Sequence, residues 1–166
     1  MSLTELSNSP SLHKRTKRIN NVVEVYKYAE ERDYDIYWYN LDLDGLESIS
    51  VMRPSDGKCF IAIDPFTIRS DADEMVKGLH ELAHCDTGAF YNEYATCDIR
   101  KKHENSADKR AIELRLSAED LDEAVAQGCT QLWSLAEYFG VTEEFMTKAV
   151  CWYTYGNLAV EEYMHI

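Results

Sequence analysis

The spacing of apolar and polar residues changes several times along this chain of 166 residues, and each change marks an element. Between Ile19 and Arg32, Val22, Val23, Tyr26 and Ala29 recur at helical spacing, which predicts a first helix with Asn20 or Asn21 as its cap. From Asp35 the texture becomes β-favouring in three short runs, Ile36-Tyr37-Trp38-Tyr39, Leu46 to Met52 and Lys58 to Asp64. Asp44-Gly45 and Pro54-Ser55-Asp56-Gly57 separate them as turn signals, so the economical reading is a small three-stranded antiparallel sheet. Ile49 and Val51 alternate with Ser48 and Ser50, which implies one covered and one wetter face, whereas Cys59 to Ile63 is apolar on both faces and reads as a well-buried strand.

Asp64-Pro65 ends the sheet, and Ser70 or Asp71 opens a long helix that Gly88 closes. Met75, Val76, Leu79, Leu82 and Ala83 give this helix an apolar side. After a polar, aromatic connection from Tyr91 to Asp98, Glu104 to Leu114 continues as an amphipathic helix. Ser117 and Asp120 form a capping-box pattern at the start of the next helix, followed by Thr130 to Phe139, Gly140-Val141-Thr142, and Glu143 to Tyr155. The expected class is α+β, with residues 1–18 a disordered basic tail, 19–116 a core domain, and 117–166 a helical subdomain packed on it. Trp133, Trp152, Tyr153 and Tyr155 are expected to be core or interface residues, core ahead of interface.

Charge narrows the partners. The formal net charge is −13, which repels phosphate backbones and argues against direct nucleic-acid binding. The last two helices have a helix-turn-helix outline, but the second starts with Glu143 and Glu144 where a DNA reader would present Lys, Arg, Asn or Gln. They read as a packing or partner-binding module. The five cysteines are odd in number, lack C-x-x-C spacing and read as free thiols, Cys85 as a buried inert one. With no apolar run near the roughly 20 residues needed to span a bilayer and no secretory leader pattern, the expected location is a reducing cytoplasm, away from membranes.

The chemistry is concentrated in His80-Glu81-Leu82-Ala83-His84. On a helix this H-E-x-x-H pattern places two imidazoles one turn apart on one face, about 5–6 Å between Cβ atoms, with a carboxylate beside them. Such a pair can bind zinc, with Glu81 as general base. A surface helix with two chance histidines is the competing reading, and the apolar side of the helix weighs against it. Two histidines leave the site open, so a third donor is required. Glu104 is the best placed, because Asp108 follows one helical turn later and can bond the non-ligating nitrogen of a zinc-bound histidine. His103, the rival ligand, points about 100° away from Glu104 on a helix. A phenol from Tyr91 or Tyr94 is a candidate oxyanion stabiliser, with simple packing as the competing and commoner role of such tyrosines. An exposed edge of the sheet would suit an extended peptide.

His80-Glu81-x-x-His84 followed by Glu104-x-x-Ala107-Asp108-x-x-Ala111 resembles the ImmA/IrrE family of metallo-endopeptidases. Asp35 to Tyr39, His84 to Tyr91 and Leu135 to Thr142 resemble stretches of its short, phage- and mobile-element-associated members, so the likeness spans roughly residues 20 to 155. It departs at Arg110, where short members often carry a bulky aromatic nearby, and at Leu116-Ser117-Ala118, where they often carry a proline. The resemblance implies a zincin-like helix, Zn2+ held by His80, His84 and Glu104, and Glu81 as general base. It also implies a protein substrate, a Cro/cI-like helix-turn-helix repressor encoded nearby, which makes the chain an anti-repressor protease. The alternative is a non-hydrolytic anti-repressor or regulatory binding module that keeps a structural zinc.

Overall fold

A computed structural model describes residues 17–42 and 45–158. It is α+β, with six helices and one three-stranded sheet among the described residues. Helix α1 (Val22–Glu31) starts at Asn21, whose side chain accepts from the Glu24 N–H. Strands β1 (Asp35–Trp38), β2 (Ser48–Met52) and β3 (Cys59–Ile63) follow, then a 3-10 turn at Pro65–Thr67. Helices α2 (Asp71–Thr87), α3 (Cys97–Arg115), α4 (Ala118–Ala126), α5 (Leu132–Phe139) and α6 (Glu143–Tyr155) complete the order. No described helix is long and apolar enough to cross a membrane.

The sheet corrects the expectation of an all-antiparallel arrangement. Its order is β1-β3-β2, with β2 antiparallel and β1 parallel to β3. The turn at 54–57 does make the β2–β3 hairpin: Arg53 N–H donates to the Lys58 carbonyl at 2.8 Å, and Gly57 sits at φ 72°, a conformation glycine adopts without strain. The Asp44-Gly45 signal makes no hairpin, since β1 and β2 are not neighbours, and Asp44 itself lies outside the described residues. The physical reason is burial. The strand that is apolar on both faces takes the centre, with Cys59, Ile61 and Ile63 all buried, and its free edge is left for β1.

On β2 the covered and wetter faces are the reverse of the usual assignment. Ser48 and Ser50 are half-buried on the face they share with Ile63 and Ile61, which looks towards the helices, whereas Ile49 and Val51 are exposed.

One hydrophobic cluster runs through the molecule, from Ile19, Val25 and Tyr28 through Ile61, Ile63, Leu79 and Leu82 to Ala111, Leu114, Phe139, Phe145 and Met146. The C-terminal helices therefore share their core with the preceding elements. Ser117 and Asp120 form the capping box at α4 as expected. The aromatic expectation is corrected in part. Tyr153 donates to the Leu116 carbonyl at 2.7 Å and Trp152 packs under the Lys109 ammonium, but Trp133 and Tyr155 are exposed because they fall on the outer faces of α5 and α6.

Two further expectations change. Of the basic tail, residues 1–16 lie outside the described set, but Lys17 pairs with Glu31 and Arg18 bonds the Glu113 carbonyl, so the packed chain begins before residue 19. The thiols are not all free either. Cys59 at the start of β3 and Cys85 near the end of α2 form a disulfide, with Cα atoms 5.8 Å apart, while Cys97, Cys129 and Cys151 are free. Packing of α2 against the sheet brings together two residues that no local spacing rule links, and the pairing removes free thiols as an argument for a reducing compartment.

Candidate metal centre

Helix α2 is built to hold its side chains rigidly. Ser70 caps it by accepting from the Asp73 N–H, and Asp71, Asp73 and Glu74 place negative charge against the positive end of its dipole. Gly88 ends it in the left-handed conformation, at φ 64°. Gly78 allows α1 to approach closely, because a Cβ there would lie 2.6 Å from Cγ1 of Val25. Near the C-terminal end, the buried carboxylate of Asp86 accepts from the Tyr28 hydroxyl at 2.6 Å, the Tyr34 hydroxyl at 3.0 Å and Arg110 Nε at 2.9 Å. This hub ties α1, α2 and α3 together and gives Arg110 a structural partner. Nothing in the local sequence advertised it.

His80 and His84 lie one turn apart on α2, facing Glu104 on α3. His80 Nε2 is 3.1 Å from His84 Nε2 and 3.2 Å from Glu104 Oε2, and His84 Nε2 is 3.5 Å from Glu104 Oε1. The two histidines face different oxygens of the Glu104 carboxylate, and the separations are of the order of the roughly 3.3–3.4 Å ligand-to-ligand edges around a tetrahedral ion with bonds of about 2.0–2.1 Å. All three ligand atoms lie within 4.8 Å of one another, and the cluster could hold a metal ion.

The far nitrogens set the tautomers. His84 Nδ1 lies 2.7 Å from the Ala89 carbonyl, and His80 Nδ1 lies 3.3 Å from Asp108 Oδ1. Each oxygen requires an N–H on the nitrogen facing it, which leaves the Nε2 lone pairs of both neutral rings turned towards the Glu104 carboxylate. Three electron-rich atoms then converge, and they need a cation between them. In the metal-free protein a proton supplies it. Burial disfavours the imidazolium of His80, but hydrogen bonds to Asp108 and Glu104 and the charge of Glu81 outweigh that, raising its pKa from 6.5 to about 10. The hydrogen bond from the protonated His80 ring is the main cause that holds the Glu104 carboxyl well below its ordinary range. Asp108 also pairs with Lys148 of α6, at 3.0 Å, a partner the sequence did not single out.

Glu81 is buried, 4% exposed, and accepts a hydrogen bond from the Ser48 hydroxyl of β2 at 2.7 Å. Beside the donor cluster opens a cavity of about 800 Å³, lined along one side by residues 46–52 and on the other by His80, Glu81, His84, Phe90, Tyr91 and Glu104. Tyr91 belongs to it, and burial followed by the Glu104 carboxylate pushes its phenol pKa up. Tyr94 is 85% exposed and does not line the cavity. His103 stands outside the donor cluster, its ring 6.3 Å from that of Tyr91.

No family model matches this chain, and no curated protein or solved structure matches it either.

Proposed function

We propose that this chain is a zinc-dependent endopeptidase with a zincin-like helix, similar to the ImmA/IrrE family, and that its substrate is a Cro/cI-like helix-turn-helix repressor. The observation that carries the reading is the convergence of two tautomer-fixed imidazoles and a carboxylate on one point, with Glu81 buried beside them. Two nitrogens and one carboxylate oxygen suit zinc, and three protein ligands match the open coordination of catalytic rather than structural sites.

When bound, zinc supplies a Lewis acid for the scissile carbonyl and a means of acidifying water. The chain does the rest. Glu81 accepts the proton of the attacking water and returns it to the leaving amine. Asp108 and the Ala89 carbonyl keep both imidazoles in the ligating tautomer. Tyr91, at the wall of the cavity, is the phenol placed to stabilise developing charge on the carbonyl oxygen, and Tyr94 has no part in this scheme.

The substrate-binding edge follows from register. β2 lies at the edge of the sheet and along the cavity. In an antiparallel pair, residues that exchange hydrogen bonds with the partner strand alternate with residues whose main-chain groups face away. Asp64 N–H donates to the Glu47 carbonyl and Arg53 N–H to the Lys58 carbonyl, so the odd-numbered positions bond β3. The main-chain N–H and C=O groups of Ser48, Ser50 and Met52 face outward, where an extended peptide can add as a fourth strand.

The test incubates the zinc-loaded chain, and its Glu81→Gln variant, with the helix-turn-helix repressor encoded nearest to it. Cleavage by the first and not the second, with zinc retained by both, is the expected result. An intact repressor held in a stable complex by both proteins would replace hydrolysis with a binding function.

A further inference from the structure

We propose that Ser48 is a positioning residue for Glu81, so that the strand expected to hold the substrate main chain also holds the base. This inference rests on the endopeptidase reading for its functional meaning, but its geometric content stands apart. Ser48 is paired with fully buried Ile63 and shares its face of the sheet, a place where an apolar side chain would bury more surface. Its neighbours Ile49 and Val51 are apolar and exposed, 36% and 51%. A one-residue shift in register would exchange the two faces and cover the apolar pair. The observed register does the opposite, and what it gains is a hydroxyl 2.7 Å from Oε1 of Glu81.

A carboxylate that is 4% exposed has little water to satisfy it, so a donor from the protein carries weight. The Ser48 hydroxyl has one hydrogen. Directed at Oε1, it fixes the plane of the carboxylate and leaves Oε2 to take a proton from water. The main-chain groups of the same residue face the free edge of β2. A peptide bonded there therefore lies one residue's width from the group that anchors the base, and the two are aligned by one short, rigid segment.

The experiment compares zinc-loaded Ser48→Ala and Ser48→Thr with the parent protein. Crystal structures report the position of the Glu81 carboxylate, zinc content reports the ligands, and hydrolysis of the repressor encoded nearest to the chain reports kcat and KM separately. The expected result for Ser48→Ala is full zinc content, a Glu81 carboxylate that leaves its parental position, and a kcat lowered roughly 100-fold with KM changed by less than about threefold. Ser48→Thr keeps the hydroxyl and restores both the carboxylate position and most of kcat. A Glu81 carboxylate unmoved in Ser48→Ala overturns the proposal. If the parent cleaves nothing, the endopeptidase reading fails, and the carboxylate position still decides the role of Ser48.

Discussion

Asp108 Oδ1 lies 3.3 Å from Nδ1 of His80, the ring nitrogen turned away from His84 and Glu104. The second carboxylate oxygen takes Lys148 from α6, which links the C-terminal helices to the tautomer of a candidate ligand. Outer partners of this kind typically contribute 10–100-fold to metal affinity. Asp108→Ala should weaken zinc binding by about that factor, while Lys148→Met, which leaves the Asp108–His80 contact in place, should weaken it less. Competition against a chromogenic chelator measures both.

Metal binding should also be steeply pH-dependent. The His80 pKa in the metal-free protein is raised from 6.5 to about 10, and only the neutral ring can ligate. Below pH 10 each binding event therefore displaces a proton, so affinity should rise about tenfold per pH unit between roughly pH 7 and 9. The sign reverses for folding of the metal-free protein. A raised folded-state pKa contributes stability that is complete below 6.5 and lost as pH rises through about 10. Denaturant titrations with and without zinc should show these opposite trends.

What was legible in the sequence was what a helix enforces locally. His80, Glu81 and His84 are tied by i, i+4 geometry, Glu104 and Asp108 by the same spacing on the next helix, and the structure places these two helices side by side with the expected residues facing. The illegible features depend on which distant segments meet. The parallel pairing of β1 with β3, the Ser48–Glu81 bond across 33 positions, and the Asp86 hub joining Tyr28, Tyr34 and Arg110 all arise from tertiary packing. Alternation along β2 revealed two faces, but not that the polar one would be turned inward.

The disulfide makes a prediction that does not involve the site. Cys59 and Cys85 are 26 positions apart, and closing a loop of that size stabilises a fold by about 2–4 kcal/mol. Thiol titration of the denatured, unreduced protein should find three reactive cysteines, and Cys59→Ser should lower stability by that amount without removing zinc.

Gly78 should resist enlargement. An added Cβ would lie 2.6 Å from Val25 Cγ1, so Gly78→Ala should cost about 1–3 kcal/mol through overpacking between α1 and α2. Combining it with Val25→Ala should recover part of that loss, a coupling that a double-mutant cycle in urea would measure.

X-ray absorption at the zinc edge tests whether α2 and α3 form an open three-ligand zinc site. Such a site should show two imidazole nitrogens and one carboxylate oxygen from the protein with a water completing the shell, and should lose the bound zinc in His84→Ala and Glu104→Ala. Four protein ligands, a sulfur ligand, or zinc retained unchanged in those variants would contradict it.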